Sequence, residues 1–569
     1  MTDGRRKSLR RAAGIFLSVA AAVVSAVVIA AFILPVLRTF FPSGADSAAG
    51  VSGAVSAGKI LRVTAHTLFI AAGSTLVAAL VGIPAAFFTS RRDFLFRRVM
   101  ISFCAVPLCI PPLITALGYV GFFGISGTVN SLLRVVFGRD APQVHFLYSS
   151  AGIIVAQGFY NFPLVMRIVS DAWEMLPDEQ ADAARLLGTG EARIFRTITL
   201  RALAPAVGSA CIPVFLFCFF SFLIVLIFSP PGTSTLEVEI YQAVRTTLDV
   251  RSASAFAAAE TLAALAVVLL YSLFIWRNLR ASAGADFSAA GKKRPRPAQA
   301  LYEPPTIKAA EIIVFAAVMI LSGIFFVCPL LSIVLSGFTE RTGGTAAFSC
   351  VQFLRLFSSA GFYSALLNSL SAAFFTALLC VVCGFTCSCA SRISGFGGNF
   401  FVQTVPLFPM AVSSVVTGWG ITALFHRGSP FLLVLMQAAL FWPVAYRQIQ
   451  AAVDAIPWET ERAALLMSCG RTELVWRFYL PQARNALLSA FCCCFAVSMG
   501  DTTLPLMLSV PRFDTLSLYT YRLAGSYRFR QASASGTVLG ILCMAVFMAG
   551  GIFSVSERNG RNSGRKTEL

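Results

Sequence analysis

Long apolar runs separated by short polar segments dominate this chain. Twelve of the runs are long enough to cross a bilayer as a helix, which takes about 20 residues, and none shows the strict alternation of a half-buried strand. The pattern predicts an all-α polytopic membrane protein. The twelve predicted spans are Ala12–Leu37, His66–Phe88, Val99–Phe123, Leu147–Ile168, Val207–Phe228, Ala255–Trp276, Ile312–Ser336, Ala365–Ala390, Phe400–Phe425, Phe431–Ile449, Ala486–Ser509 and Ser535–Val555.

The first apolar run has the basic flank of a secretory signal peptide. Five basic residues precede it, namely Arg5, Arg6, Lys7, Arg10 and Arg11. Its apolar core is longer than the roughly 7–15 residues of a signal sequence. We therefore interpret it as a retained membrane span.

Polar positions recur along the chain at a fixed distance. The stretch from Gln157 to Tyr241 reappears without a gap from Gln437 to Tyr521, 280 residues later. The second span opens with His-Thr-Leu at 66–68 and the eighth with Asn-Ser-Leu at 368–370. Such a repeat indicates two copies of one structural unit, and six spans per copy make the two copies parallel in the membrane.

The repeat divides the chain into two tandem six-helix halves. We predict a first transmembrane domain at 61–277 and a second at 363–556. The segment 278–310 is rich in Ala, Ser, Pro and charge, and is predicted to be a cytoplasmic linker with little fixed structure. The other predicted segments are an N-terminal span with an external loop at 1–60, the seventh span with an external loop at 311–362, and a cytoplasmic tail at 557–569.

Charge placement sets the predicted orientation. Only 12% of the residues are charged, against roughly 25% in soluble domains. The net charge of +19 comes from short basic clusters between spans, with no base-stacking module beside them, so it does not indicate nucleic-acid binding. A cytoplasmic N-terminus places 31 of the 45 Lys and Arg residues inside, as the positive-inside rule expects. Both termini are therefore predicted to be cytoplasmic.

Cysteine and histidine give no sign of a metal site or a catalytic site. Most of the 15 cysteines lie inside apolar runs, where they are predicted to pack between helices. No nearby His or carboxylate completes a ligand set, and no disulfide framework is implied. His66, His145 and His426 are scattered along the chain. A membrane enzyme is accordingly disfavoured.

Two related polar loops follow the fourth and tenth spans. They occupy 177–205 and 457–485, on the cytoplasmic side of the predicted topology. Each begins with Pro and continues with good helix formers, which favours a short helix. Two such helices beneath two membrane halves predict a docking surface for a two-fold partner. The alternative is a helical hairpin that only orients two spans.

These loops resemble the signature of permease subunits of bacterial ABC importers with the type I, MetI-like fold. That signature is Glu-Ala-Ala, three residues, Gly, nine residues, then Ile-x-Leu-Pro. The first copy has Arg201 in the proline place, and the second has Arg462 in the acid place, with Glu459 and Glu461 nearby. The positions that the resemblance assigns to ATPase coupling are Asp182, Ala183, Ala184, Gly188, Leu200, Glu461, Arg462, Ala463, Ala464, Ser468, Leu480 and Pro481.

The resemblance implies a translocation subunit in the bacterial inner membrane. Its short helices would insert into a groove of an ATP-hydrolysing subunit, expected in two copies. The chain has no G-x-x-x-x-G-K-[ST] loop to cradle phosphates, so we expect no cofactor on this chain, and ATP is expected to be used by the separate subunit. An external or periplasmic binding protein is the other expected protein partner, and the lipid bilayer surrounds the spans.

Several strings look more like the thiamine branch of this family than the ferric-iron branch. They lie at 159–167, 218–228, 234–242, 499–508 and 513–528. The expected substrate is therefore thiamine or a related small cation, with ferric iron as the alternative. An ion-coupled secondary transporter is the alternative from another class. Intramembrane acids are scarce for that mechanism, and it does not need the repeated polar loops.

Acids inside spans are costly and usually functional or paired. Asp501 follows Gly500 in the eleventh predicted span, where it either lines the translocation path or bonds to a neighbouring helix; Phe220 and Ser221 hold the same places in the first half. An acid beside aromatic rings suits an organic cation, although it also attracts metals. Glu260 is expected to pair with backbone or to reach the interface. Glu237 and Glu239 are expected in an external loop that meets the binding protein.

Overall fold

The computed structural model describes residues 26, 30–39, 56–105, 109–138, 142–176, 179–230, 232–282, 299–300, 309–342, 345–393, 409, 412–425, 427–466 and 471–564. Helices dominate this part of the chain, which confirms the all-α prediction. Its strands form two small pairs. β1 (Arg92–Asp93) pairs in parallel with β2 (Gln299–Ala300), and β3 (Thr339–Thr342) pairs antiparallel with β4 (Thr345–Phe348).

The helices of the first half follow the predicted order. They are α1 (Ala30–Thr39), α2 (Ala57–Arg91), α3 (Arg97–Ser102), α4 (Pro112–Phe123), α5 (Thr128–Phe137), α6 (Ser150–Glu174), α7 (Glu179–Leu186), α8 (Glu191–Ile194), α9 (Leu200–Phe219), α10 (Leu223–Phe228), α11 (Leu236–Gln242) and α12 (Val250–Ser282). A 3₁₀ turn occupies Phe103–Ala105, and wider π turns occupy Phe195–Thr199 and Ala243–Thr247.

The helices of the second half repeat this series. They are α13 (Ala309–Ser322), α14 (Cys328–Gly337), α15 (Val351–Phe357), α16 (Ala360–Ile393), α17 (Ser414–Phe425), α18 (Pro430–Asp454), α19 (Trp458–Leu466), α20 (Arg471–Leu474), α21 (Leu480–Gly500), α22 (Thr503–Leu508), α23 (Leu516–Gly525) and α24 (Phe529–Gly564). The π turns of this half are Gly323–Val327 and Val475–Tyr479.

Ten helical stretches of the described part are long and apolar enough to cross a membrane, and one of them, Pro112–Phe137, comprises α4 and α5 with the residues between them. Two shorter apolar helices, α1 and α17, lie at the first and ninth predicted spans. The remainder of those two predictions, Ala12–Leu37 and Phe400–Phe425, lies mostly outside the described residues. The arrangement is that of a polytopic protein built from two similar halves.

Three spans are not the continuous helices that the sequence predicted. The predicted span Val99–Phe123 is divided, and its main helix begins at Pro112, because proline suits a first turn but not a helix interior. The predicted spans Val207–Phe228 and Ala486–Ser509 each end early, at Phe219 and Gly500, and a six-residue helix follows each break. Proline, glycine or polar residues occur at each break, but the apolar runs on either side are long and the sequence prediction joined them into single spans.

The 280-residue repeat is reproduced helix by helix. α6 and α18 begin and end at matching positions, as do the π turns Phe195–Thr199 and Val475–Tyr479. Hydrogen bonds repeat too. The Leu236 N–H donates to Thr67 Oγ1 at 3.1 Å, and the Leu516 N–H donates to Ser369 Oγ at 2.7 Å. The two halves therefore share their local chemistry as well as their helix order.

The first span of each half packs against the other half. A Cβ added to Gly118 in α4 would lie 2.4 Å from the carbonyl oxygen of Pro329, which belongs to the seventh span. A Cβ added to Gly420 in α17 would lie 2.3 Å from the carbonyl oxygen of Pro35, which belongs to the first span. Only glycine permits so close an approach. The two contacts occupy corresponding places in the two halves. In each of them, the first span of one half packs against the third span of the other half.

Candidate coupling surface and translocation path

The first polar loop forms the short helix α7. Asp182 and Ala183 are exposed and Ala184 is half-buried, whereas Ala181 on the opposite side is buried. The Asp182 carboxylate accepts a hydrogen bond from the Arg185 guanidinium at 2.7 Å. The exposed face of α7 therefore carries an acidic residue, Asp182, beside a small one, Ala183. We call α7 and its counterpart α19 the loop helices.

Gly188 turns the chain at the end of α7. Its φ of +77° is in the left-handed region, and its N–H donates to the Arg185 carbonyl at 2.9 Å. A Cβ at this position would meet nothing within 4 Å, so the requirement for glycine comes from backbone conformation and not from space. Leu186 and Leu187 beside the turn are strongly exposed, which adds an apolar patch to the loop.

The second loop helix, α19, presents Arg462 and Ala463 at its surface. Leu466 at its end is exposed, as Leu186 is in the first half. The side chain of Ala464 and the whole of Ser468 lie outside the described residues. The second copy therefore exposes a small residue and a leucine, with a basic residue where the first copy has an acid.

Glu461 does not share that exposed surface. Its side chain is 9% exposed and accepts a hydrogen bond from Arg392 Nε at 3.2 Å. Arg392, from the last turn of α16, also donates to the carbonyls of Val453, Asp454 and Ile456. Its carboxylate points into the chain and ties α19 to the eighth span, so any part that Glu461 takes in coupling is to position the loop helix. The first half has Ala181 at this position.

Leu200 and Leu480 close the π turns that lead into the fifth and eleventh spans. The Leu200 N–H donates to the Phe195 carbonyl, and the Leu480 N–H donates to the Val475 carbonyl. Leu200 and Pro481 are exposed, and Leu480 is half-buried. π turns recur at functional sites because they locally widen a helix. Here they connect each polar loop to the span that carries a break.

The predicted path residues lie at the two helix breaks. Phe220 and Ser221 follow the end of α9, and Gly500 and Asp501 mark the end of α21. Asp501 is therefore not inside a continuous span, as the sequence suggested. It is half-buried, and its Oδ1 accepts from the N–H groups of Thr503 at 3.0 Å and Leu504 at 3.5 Å. These bonds cap α22, which is the neighbouring-helix role left open by the sequence.

Asp501 has a second partner in the tenth span. Gln437 Nε2 donates to Asp501 Oδ2 at 3.1 Å, and the Oε1 of the same amide accepts from Ser498 at 2.7 Å and from Thr376 at 3.2 Å. This network was not predicted from the sequence. The signal was present, since Gln437 is a polar residue inside an apolar run and opens the repeated stretch.

The first half has the same glutamine without the acid. Gln157 Oε1 accepts from Ser74 at 3.0 Å, as Gln437 accepts from Thr376. Its Nε2 is buried and has no partner in the described part of the chain. Ser221 stands at the position equivalent to Asp501. The two halves therefore contribute unequal chemistry to the space between them.

The halves approach each other closely at the second break. A Cβ on Gly500 would lie 2.8 Å from Pro111 Cγ, which precedes the third span of the first half. Arg245, in the connection after α11, donates to the carbonyls of Leu506 and Met507 in α22. These contacts join the first half to the capped helix after Asp501. The two halves are therefore in direct contact at this level.

Two further acids differ from expectation. Glu237 and Glu260 lie beside each other, and each side chain is 1% exposed. Within the described residues, no hydrogen bond of normal geometry reaches either carboxylate oxygen of Glu260 or Oε2 of Glu237, and the Ser413 hydroxyl lies near both acids. Glu237 therefore does not face outward, and Glu260 neither pairs with backbone nor reaches the interface. Glu239 is more exposed than Glu237, with 14% of its side chain accessible, and it pairs with Lys59 at 2.8 Å.

The cysteines of the described part form no disulfide with one another, and most of them are at least partly buried. Cys380 donates to the Ala438 carbonyl at 3.7 Å, and Cys543 donates to the Ala496 carbonyl at 3.7 Å. No group of three or more His, Cys, Asp or Glu side chains with metal-ligand geometry occurs among the residues described. The thiols pack between helices.

Comparison with known proteins identifies the family. The family described as "Binding-protein-dependent transport system inner membrane component" matches residues 74–278 and 392–555. The chain belongs to this family. The two matched regions fall on the two halves, so the repeat consists of two copies of one permease domain. The chain is thus a multi-pass inner-membrane permease subunit of an ABC importer, and the resemblance seen in its sequence is confirmed.

Its relatives include permeases of two named transport systems. Thiamine transport system permease protein ThiP of Brucella abortus (strain 2308) is 27% identical over 500 residues, 86% of each chain. ThiP of Escherichia coli (strain K12) is 24% identical over 491 residues, 83% of this chain and 85% of that one. Ferric transport system permease protein FbpB of Actinobacillus pleuropneumoniae is 21% identical over 501 residues, 86% of this chain and 71% of that one. Family membership favours an importer permease over an ion-coupled secondary transporter.

Proposed function

We propose that this chain forms the passage of an ATP-driven, binding-protein-dependent importer for thiamine or a related small organic cation. The observation that carries the proposal is the pair of loop helices, which occupy equivalent positions beneath two equivalent membrane halves. Each presents a small alanine at its surface, at Ala183 and Ala463. Two ATP-hydrolysing subunits related by the same two-fold would dock on them.

In this proposal the chain itself is not catalytic. Hydrolysis belongs to the docked subunits, and their closure moves the loop helices. Each loop helix leads through a π turn into a span with a break, at Phe220 or at Gly500. Movement at the loops is thereby carried to the level where the halves meet. The halves swing between a state open to the cytoplasm and a state open to the binding protein.

The substrate proposal rests on two kinds of support. The thiamine permeases among the relatives cover most of the chain at 24–27% identity. The break of the second half also carries the carboxylate of Asp501, while that of the first half carries the aromatic ring of Phe220. A carboxylate and an aromatic ring attract a small organic cation by charge and by cation–π interaction.

Orientation is part of the proposal. The loop helices lie on the side that carries 31 of the 45 Lys and Arg residues, counted over the predicted topology. The positive-inside rule makes that side cytoplasmic, where ATP is available. Both termini are then cytoplasmic, and a binding protein delivers substrate to the opposite face.

Reconstituted transport tests the proposal directly. The complete complex, with ATPase subunits and binding protein, is placed in vesicles and supplied with radiolabelled thiamine. We expect uptake that requires both ATP and the binding protein. Uptake of thiamine driven by an ion gradient without ATP would overturn the importer mechanism.

Ferric iron is the second candidate, because the ferric permease FbpB is also a relative. The same vesicles supplied with radiolabelled ferric iron separate the two substrates. A calorimetric titration of the isolated binding protein with thiamine and with ferric iron gives an independent reading. Iron uptake without thiamine uptake would replace the substrate while leaving the importer mechanism in place.

A further inference from the structure

The first half contains a segment that the second half lacks. α4 and α17 begin 302 residues apart, whereas α6 and α18 begin 280 residues apart, so the first half carries 22 additional residues between these helices. In the second half the chain turns from Phe425 to Pro430 directly. In the first half the corresponding connection contains α5. Nothing in the repeat requires this helix.

α5 has its polar and apolar faces reversed relative to a helix of a water-soluble domain. The inward side carries Asn130, which is buried, donates to the carbonyls of Gly124 and Val144, and accepts from the Val144 N–H at 2.8 Å. The outward side carries Leu132, Val135 and Val136, whose side chains are 62–82% exposed, and the terminal Phe137 is 69% exposed. Exposing this apolar surface to water is unfavourable, so we expect an apolar partner or lipid to cover it.

The depth of α5 follows from the lengths of the neighbouring helices. α4 has 12 residues and is about 18 Å long, less than the roughly 30 Å of hydrocarbon that a span crosses. Its counterpart α17 ends at a four-residue turn into α18, a full-length span of 25 residues. That turn marks the membrane surface opposite the loop helices. α5 starts at the equivalent point and so lies at the boundary between acyl chains and water.

Charge on α5 suits the same boundary. Arg134 is the only charged residue in the helix, and its Nη2 donates to the Ile125 carbonyl at 3.1 Å in the preceding turn. The guanidinium is thus held at the start of the helix, where it can meet lipid phosphates. A single basic residue beside an apolar surface is typical of helices that lie in a membrane interface.

We propose that α5 is an interfacial helix, lying flat in the lipid leaflet opposite the loop helices with Leu132, Val135 and Val136 in the acyl region. The occupant of its apolar face is phospholipid. The face lies at the membrane boundary marked by the connection between α17 and α18, and Arg134 is held where a lipid phosphate can meet it, which favours lipid over a water-soluble partner.

The experiment places a tryptophan on the face. Val135→Trp and Leu132→Trp substitute exposed positions, so neither needs space in the core. Each variant is purified at full length and reconstituted in vesicles of brominated phosphatidylcholine, and its emission is compared with that of the parent chain. Leu187→Trp is the matched control, since Leu187 is equally exposed but lies beside the first loop helix.

We expect brominated lipid to quench the fluorescence of the tryptophan added at 135 or 132. Aqueous iodide should not quench it. The control should show the opposite pattern. The proposal would be overturned if iodide, and not brominated lipid, quenched the tryptophan fluorescence at 135 and 132. Protection from iodide only after addition of the binding protein would also overturn it, by assigning the face to that protein.

Discussion

The side-chain amide of Gln437 donates to the carboxylate of Asp501 at 3.1 Å, and the equivalent amide of Gln157 has no acceptor among the described residues. One half therefore fixes an acid at its helix break, and the other presents a serine. The acid is held from two sides, by the amide and by the first N–H groups of α22. A charge held in this way would not need to reorganise in the proposed passage of a small cation.

Removing the charge of Asp501 separates its two roles. Asparagine is also a good helix cap, so Asp501→Asn should keep α22 in place while losing the negative charge. We expect ATP-dependent uptake to fall about tenfold, equivalent to about 1.4 kcal/mol, with normal assembly of the complex. Vesicle uptake assays and size-exclusion chromatography measure the two effects.

Asp501→Ala is the informative comparison, because it removes the cap as well as the charge. Loss of a cap costs about 1 kcal/mol, so this variant should also melt at a lower temperature. If Asp501→Asn transports as the parent chain does, the carboxylate serves only to cap α22.

The ion pair of Arg392 and Glu461 should hold the second loop helix. Both side chains are nearly buried, and removing one partner from such a pair costs roughly 3–5 kcal/mol. Glu461→Gln is expected to lower the melting temperature and to weaken association with the ATPase subunit. Thermal unfolding in detergent and a pull-down with that subunit are the measurements.

Arg462→Gln provides the control for this pair, since Arg462 is exposed one residue away. It should leave the melting temperature unchanged. If the Glu461→Gln variant had the same melting temperature as the parent chain, α19 would be positioned by its other contacts.

Bulk at the surface of the loop helices should block docking. Trp substitution at Ala183, Ala184, Ala463 and Ala464 is expected to abolish association with the ATPase subunits while leaving membrane insertion intact. The first copy is closer to the family signature, so Ala183→Trp should cost more than Ala463→Trp. Co-purification measures the loss. Trp at the exposed Ser526, outside both polar loops, is the control, and normal assembly of the four-site variant would remove the docking role.

The buried carboxyl group of Glu260 should reduce stability. Neither of its oxygens accepts a hydrogen bond of normal geometry in the described part, and Glu237 lies beside it. In Glu260→Gln the new amide can donate to Glu237, and one buried acid is removed. We expect a gain of about 1–3 kcal/mol in the free energy of unfolding, seen as a higher melting temperature. A lower melting temperature would mean that the Glu260 carboxylate itself makes a favourable contact.

Much of the architecture was predictable because the length and apolar composition of membrane helices identify them in the sequence. The repeat from Gln157 to Tyr241 also located the loop helices, and the structure reproduces it position by position. The breaks at Phe219 and Gly500 were not predicted. Hydropathy changes little at the first break, because Phe220 and Phe222 follow it with Ser221 between them. The second break does have a signal, the run Gly-Asp-Thr-Thr at 500–503, which the sequence prediction placed inside one long span.

Side-chain partners were the harder part to foresee. Glu461 is close to the signature in sequence, yet its register on α19 turns it toward Arg392, which lies 69 residues earlier. Glu237 falls in a predicted external loop, yet α11 folds back and buries it. Both outcomes depend on which face of a short helix meets the core, and a helix of two turns carries too few positions to show that periodicity.

The crossed contacts at Gly118 and Gly420 bear on how the chain is held as one molecule. The first span of each half packs against the other half. A break in the backbone within 278–310 would leave these contacts intact, so two separately made fragments are expected to associate and form the permease. The covalent tether then mainly guarantees that the two pieces are produced in equal number.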